Sequence, residues 1–364
     1  MNEREKLLTV LSKKKVDLIP WYGDLSWWYN SLISKDEKYK GEDGYLKMHI
    51  DTGVGIYLYP PFLWKTEYSE DIKFIEEKKG DLIISKIITP IGEIESTSEY
   101  LENSFTSAYV THFIKNPYDL EVMQYIFKNR KIYPNYEEFE RIDRKWGGYG
   151  IPVALGPICV SALQTLITRW AGIQKVIEIY IENRRVLEET IEFIQNCDDE
   201  IFKIIENSNT LIVEFPENLS GEITGKNLIE KYELSYWEKR INQLHKKGKF
   251  VGIHNDGTLK GSLPLLVEAG FDFVEAVTPT PFGDLSIEEI FEIVDEKIII
   301  WGGLPGAFFS PVYSEEYFEN YIRNLIQFVK ERENFVLGVA DQVPPDASFE
   351  RVCKVRESLE KYGR

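Results

Sequence analysis

Short runs rich in Val and Ile recur along this chain, each bounded by Gly, Pro or Asp, and long charged amphipathic segments alternate with them. Brief apolar runs closed by turn residues predict strands, and apolar residues at helical spacing predict helices. Parallel strands are expected near residues 17–22, 54–58, 152–156, 210–215, 250–254, 272–277, 298–302 and 335–340. Eight is the number that closes an α/β barrel.

Between these runs, 173–196 carries Val176, Ile177, Tyr180, Leu187, Ile191 and Ile194 at helical spacing, and 317–330 repeats the pattern. The gap between the second and third strands is too long for one helix. Within it, Asp81-Leu-Ile-Ile-Ser-Lys-Ile-Ile-Thr-Pro-Ile-Gly92 and the residues after it predict a hairpin turning at Pro90-Ile-Gly92, and 117–129 predicts a capped helix. The expected fold is therefore one α/β domain over 1–364, a (β/α)8 TIM barrel with an N-terminal helical extension and a β-hairpin insertion at about 65–145. A doubly wound open sheet is the alternative, but no G-x-G-x-x-G follows a strand, and a phosphate-loop motif is missing too.

Composition narrows the function. A formal charge of −17 disfavours a nucleic-acid surface of the usual basic kind. Cys159, Cys197 and Cys353 are few and widely spaced, which suits a reducing compartment rather than a disulfide framework. No stretch approaches the roughly 18 apolar residues of a membrane helix. With a charged N-terminal helix start and no signal-peptide core, a cytoplasmic protein without membrane contact is expected.

The chemistry concentrates at strand ends. Lys249-Phe-Val-Gly-Ile-His-Asn-Asp-Gly257 places His254 and Asp256 two apart before a glycine, and Asn334-Phe-Val-Leu-Gly-Val-Ala-Asp341 ends a similar run. In a barrel, the C-terminal strand ends face the active-site mouth, which picks out Asp24, Glu214, His254, Asp256, Glu275 and Asp341. So many carboxylates around one histidine repel one another unless a cation or a proton is shared. His254, Asp256 and Asp341 are thus candidate metal ligands or an acid–base group. The competing readings are a hydrogen-bonded structural histidine, a turn or helix cap at Asp341, and rim salt bridges at Glu214 and Glu275. His49, His112 and His245 have weaker context and are read as structural.

Aromatic residues crowd the first part of the chain: Trp21, Tyr22, Trp27, Trp28 and Tyr29, then Tyr57, Tyr59, Phe62 and Trp64. Such clusters form core or interface; alternatively Trp27, Trp28, Tyr57 and Trp64 wall a pocket for a flat ligand or a methylated ammonium, with Glu275 in its polar shell. Between Arg4 and Arg130 there is no arginine, so this region lacks the bidentate grip a polycarboxylate substrate would meet.

Several of these stretches resemble the uroporphyrinogen decarboxylase superfamily, in its corrinoid-linked methyltransferase branch. The resemblance rests on His254-Asn-Asp-Gly257, Pro264-Leu-Leu-Val-Glu-Ala-Gly-Phe-Asp272 and Glu275-Ala-Val-Thr-Pro-Thr-Pro-Phe-Gly-Asp284. Thr89-Pro-Ile-Gly92, Ile299-Ile-Trp-Gly-Gly303 and Val343-Pro-Pro-Asp-Ala347 extend it. It implies a TIM barrel of a type that often forms homodimers. The family's decarboxylases grip a tetrapyrrole with N-terminal arginines, where this chain has Trp21-Tyr-Gly-Asp-Leu-Ser-Trp-Trp-Tyr29. Its zinc methyltransferases carry His-x-Cys and a distant second Cys, where this chain has His254, Asp256 and the region of Asp341. Two hard carboxylates in place of thiolates favour a harder divalent ion than zinc, or no metal.

The resemblance implies an enzyme taking a methyl group from a small methylated donor, with a corrinoid supplied by a partner protein, since no Asp-x-His-x-x-Gly cobalamin motif is present. His254, Asp256, Asp341 and Glu214 would be its catalytic shell. A decarboxylase of a tetrapyrrole or other carboxylate is the second expectation, with Arg141, Arg144, Lys145 or Arg169 supplying positive charge. A non-catalytic barrel binding a ligand or a corrinoid protein is the third.

Overall fold

The computed structural model describes residues 1–58, 61–157 and 159–363; Tyr59, one of the aromatics of the first part of the chain, lies outside them. The strands fall into two groups. Within the insertion are β1 (Trp64–Tyr68), β2 (Lys73–Lys79), β3 (Leu82–Thr89), β4 (Gly92–Leu101), β5 (Thr106–Thr111) and β6 (Arg130–Pro134). A parallel sheet comes next, made of β7 (Ala154–Leu155), β8 (Ile212–Phe215), β9 (Phe250–His254), β10 (Phe273–Val277), β11 (Ile299–Pro305) and β12 (Phe335–Ala340), adjacent in that order.

Every residue of β8, β10, β11 and β12 is buried. Helices such as Leu234–His245, Ile287–Val294 and Glu315–Val329 contribute the apolar partners Leu244, Ile290, Phe318 and Ile322 to the same core. Strands covered on both faces read as continuous Val/Ile runs, and for that reason the last five expected strands match β8–β12 closely.

The first three expected strands differ. The 152–156 run shrinks to the two-residue β7. Residues 17–22 and 54–58 form no ladder and contribute single parallel bridges, Trp21 to Leu337 and Ile56 to Gly150. Pro20 and Pro152 lack the N–H a ladder needs. Backbone bonds still bind these segments to their neighbours: Tyr22 N–H donates to Leu337 O at 2.9 Å, Gly55 N–H to Trp21 O at 2.7 Å and Val153 N–H to Tyr57 O at 2.9 Å.

The expected hairpin is the inner pair, β3 and β4, of a four-stranded antiparallel sheet ordered β2-β3-β4-β5. Its outer strands escaped notice because every residue of β2 and β5 is exposed, so neither alternates between apolar and polar. The helix expected at 117–129 is Pro117–Lys128, opened by an Asn116/Asp119 capping box. That expected at 173–196 is two helices, Gly172–Glu182 and Arg184–Cys197, because Asn183 leaves helical geometry and caps the second through Val186 N–H. At the N-terminus lie Glu3–Leu11, Ser26–Lys35 and Gly41–Thr52. Among the described residues no helix is long and apolar enough to cross a membrane.

Candidate functional site

The parallel register sets the centre of the site. Glu275 in β10 pairs with His254 at the end of β9, and Glu214 in β8 pairs with Gly252, two residues before His254, so three titratable side chains come from three adjacent strands. The β10–β11 register shifts between Val274 and Val277, and Ala276 sits at φ 64° within that break. Glu275 lies within that irregular stretch, of the kind that locally bends and twists a strand. Asp341, directly after β12, also adopts φ 65°, a strain that non-glycine residues hold only where the surroundings enforce it.

Glu275 is fully engaged. Its Oε1 accepts a 2.8 Å hydrogen bond from the Tyr57 hydroxyl, and its Oε2 lies 2.5 Å from His254 Nδ1. Bonding Nδ1 to a carboxylate fixes the imidazole's orientation and turns Nε2 outward. Nε2 lies 3.9 Å from Asp256 Oδ2 and 3.8 Å from Asp341 Oδ1, too long for direct hydrogen bonds. One ligand atom from each of His254, Asp256 and Asp341 lies within 4.8 Å of the others, as does one from each of Glu214, His254 and Glu275.

The electrostatics divide the carboxyls. Glu214 is buried, its Oε1 is 3.8 Å from His254 Nδ1, and its Oε2 has no hydrogen-bond partner among the described residues. Burial, then the charge of Glu275, pushes its pKa well above the ordinary value, so Glu214 is the neutral acid of the group. For His254, burial opposes the charged form, but the charge and hydrogen bond of Glu275, with Asp256 and Glu214, outweigh it and hold the imidazole well above its usual pKa. Asp341 is pushed up to about 6, by burial first and then by Asp256 and Glu275 against the opposing pull of His254. Burial and neighbouring charge thus favour a proton on Glu214 and on the His254 imidazole.

The other residues singled out from the sequence separate. Asp24 serves the backbone and a neighbour: Oδ1 accepts from Ser26 N–H at 2.7 Å and Oδ2 from Gln342 Nε2 at 2.8 Å. Trp27 lines a cavity of about 630 Å³. Trp28 does not line it; it is buried against Phe349, and its indole N–H donates to Ala347 O at 2.9 Å. Trp28 is therefore core rather than pocket wall, because its ring completes the packing of the Ser26–Lys35 helix. Trp64 faces a different cavity, of about 290 Å³, shared with Arg130, Arg169 and Trp170. Tyr57 is also buried, packed on Trp301 at 4.8 Å, and acts as a hydrogen-bond donor to Glu275 rather than as a wall.

His245 pairs with Asp272 at 2.8 Å, His112 stacks on Tyr109 at 4.5 Å, and burial pushes His49 down to about 4. None of the three joins the centre. Arg141 binds Glu42 and Glu138, Lys145 binds Glu42 and Asp43, and Arg144 lies 3.8 Å from Glu140. Neither these cations nor Arg169 lines the 630 Å³ cavity. Sequence reasoning missed Glu217 and Glu233, which are fully buried and both within 3.1 Å of Ser161 Oγ. One hydroxyl proton cannot satisfy both carboxylates, and burial pushes Glu217 up to about 7 and Glu233 well above the ordinary carboxyl value. No motif surrounds them that could have announced this pair.

No family model matches the chain, and it matches no curated protein. Among solved structures it is similar to a methyltransferase from Methanosarcina mazei, at 11% identity and a TM-score of 0.62, covering 100% of both chains. That likeness shows a shared α/β fold over the whole length. Two structures of the pneumococcal exo-β-D-N-acetylglucosaminidase StrH align over 62% of each chain at 10% and 12% identity, with TM-scores of 0.36 and 0.33, too low to carry an argument.

Proposed function

We propose that this chain is a methyltransferase-like enzyme of the uroporphyrinogen decarboxylase superfamily, its parallel sheet closed into a (β/α)8 barrel through residues 17–22 and 54–58. It takes a methyl group from a small methylated donor in the barrel mouth. The observation that carries the reading is the Tyr57–Glu275–His254 chain, which holds Nδ1 and leaves Nε2 facing Asp256 and Asp341. The full-length likeness to a methyltransferase supports it.

A corrinoid on a partner protein would supply the nucleophile that accepts the methyl group. This chain's residues handle the leaving group. As the methyl–oxygen bond of an ether-type donor breaks, the bonding pair stays on oxygen, and His254 passes its Nε2 proton to that atom. General acid catalysis of this type contributes typically 10²–10⁴-fold. Glu275 orients the imidazole and balances its charge, Glu214 stays neutral and so adds no repulsion, and Asp256 and Asp341 return a proton from solvent. Among the described residues, no Lys or Arg lines the cavity to grip a polycarboxylate for decarboxylation.

His254 Nε2 with Asp256 and Asp341 also fits a hard divalent cation, which would supply Lewis acidity in place of the proton. It does not fit thiolate-bound zinc, because Cys159, Cys197 and Cys353 take no part in the cluster. Methyl transfer from a panel of methyl ethers and methylamines to cob(I)alamin tests the proposal, with metal content measured on the same protein. Turnover lost by at least a hundredfold in His254→Gln is expected. Absence of turnover across the panel refutes methyl transfer, and stoichiometric metal that His254→Gln releases replaces the proton reading with the cation one.

A further inference from the structure

Beneath the insertion lies a second concave region, walled by one face of the β2–β5 sheet and by the turn Leu166–Trp170. Two cavities, of about 290 and 480 Å³, meet there and share Tyr68, Ile126, Arg169 and Trp170. None of Glu214, His254, Asp256, Glu275 and Asp341 lines either one. Leu166–Trp170 is a π-helical turn, an element that is rare and frequently found at functional sites. It buries Trp170 against Phe113 at 5.4 Å and leaves the preceding residue, Arg169, exposed where the two cavities join.

The neighbouring cations are engaged: Arg130 donates to Asp198 at 2.9 Å and lies over the Phe127 ring, and Lys86 binds Glu93 at 3.1 Å. Arg169 has no hydrogen bond, ion pair or ring contact with a described residue. In a chain with 60 acidic residues against 43 basic ones, a guanidinium left without a carboxylate in a concavity is open to an anion from outside. The sheet face that shares the larger cavity is hydroxylic. Ser85 and Ser96 pair across β3 and β4, Ser98 pairs with Tyr109 across β4 and β5, and Ser107 lies two residues from Tyr109. All four serines line the 480 Å³ groove, and their hydroxyls bond to no described residue, although Ser96 is only 3% exposed. A hydroxyl held away from bulk water without a partner is costly, so its partner comes from whatever fills the groove. Glu76 adds an acceptor to the same lining, and Tyr68, Phe74 and Tyr109 add exposed rings.

These features select a ligand. A guanidinium and an oxyanion make strong, charge-assisted hydrogen bonds. A plain aromatic anion would use Arg169 and the rings but cover the serine hydroxyls unpaired. A neutral sugar would satisfy the hydroxyls and leave Arg169 idle, and a cation would meet repulsion. We infer that this groove is a second ligand site, independent of methyl transfer, for an anionic sugar. Its carboxylate or phosphate sits on Arg169, its ring hydroxyls meet Ser85, Ser96, Ser98 and Glu76, and its apolar C–H face lies against the aromatic walls. Small-molecule sites run to about 300–1,000 Å³, a range that the groove falls within. No His or Cys lines it, so it holds its ligand without reacting it.

Calorimetric titration of the full-length protein with glucuronate, glucose 6-phosphate, glucose and benzoate tests the inference. One of the two anionic sugars is expected to bind saturably and at least about tenfold tighter than glucose or benzoate, and which one it is separates carboxylate from phosphate recognition. Arg169→Ala should weaken that sugar about tenfold or more, and Ser98→Val, which fills the groove and removes a hydroxyl, about threefold. Thermal melting confirms that each variant folds; if Arg169→Ala does not, Ser98→Val decides. No saturable binding of either anionic sugar, equal binding of glucose or benzoate, or affinity unchanged in a folded variant overturns the inference. Binding that is lost in His254→Gln but kept in Arg169→Ala also overturns it, by moving the ligand to the strand-end centre.

Discussion

Replacing Tyr57 by Phe removes one atom from the chain that holds His254, and the surroundings define its cost. The hydroxyl donates at 2.8 Å to Glu275 Oε1, and both residues are about 1% exposed. The ring keeps its packing on Trp301 and Tyr22, so no cavity larger than the lost oxygen forms. The cost is that of stranding a buried carboxylate oxygen, about 1.5–3 kcal/mol for a hydrogen bond to a charged group. Tyr22 provides the control within the same cluster: its ring lies 6.1 Å from that of Tyr57, and its hydroxyl is buried without a hydrogen-bond partner among the described residues. Tyr22→Phe removes an unsatisfied polar atom and should leave stability unchanged or raise it by up to about 1 kcal/mol. Urea denaturation should therefore place Tyr57→Phe about 2 kcal/mol or more below Tyr22→Phe, with only the former falling below the parent. If Tyr57→Phe costs less than about 0.5 kcal/mol, or if Tyr22→Phe is the more damaging change, Glu275 is not a charged anchor for His254.

Other consequences are open to measurement. Glu214→Gln, close in shape to the protonated acid, should change stability by less than about 1 kcal/mol, whereas Glu275→Gln, which removes the partner of His254, should cost several times more by the same denaturation assay. At Gly252 an added Cβ would collide with the Phe273 ring, so Gly252→Ala should destabilise by roughly 1–3 kcal/mol in that assay and disturb the strand that carries His254. Glu42 is held down to about 2 from 4.5 by hydrogen bonds with Arg141 and then Lys145. A depressed carboxyl contributes stability that is fully present above 4.5 and fades as pH falls from about 4.5 toward 2; the pair joins two surface helices, so about 1 kcal/mol is expected after solvent screening. An acid titration of stability should flatten across that window in Glu42→Gln, and an unchanged slope would show the pair to be fully screened.

Local pattern was enough wherever a segment's environment is uniform along its length. The runs that became β8–β12 are buried almost throughout, so their Val and Ile content marked them directly, and with them the strand-end positions of Glu214, His254, Glu275 and Asp341. The capping box at Asn116 and the turn at Pro90-Ile91 are equally local, since each depends on residues within a few positions. Where the environment changes over a distance in sequence, the pattern fell silent. β2 and β5 are exposed along their whole length and owe their existence to pairing with β3 and β4. Trp27 and Trp28 are adjacent and chemically alike, yet helix orientation sends one to a cavity and the other into core.

The centre divides the same way. The sequence by itself determined which chemical groups stand at the strand ends, because strand periodicity and turn residues are written into neighbouring positions. Only the tertiary structure decided their mutual geometry, through the register that sets Glu275 beside His254, the bulge at Ala276, and a tyrosine 218 positions away in sequence that donates to the Glu275 carboxylate. Protonation states depend on burial and on charges a few ångströms away, and those distances exist only once the strands have paired.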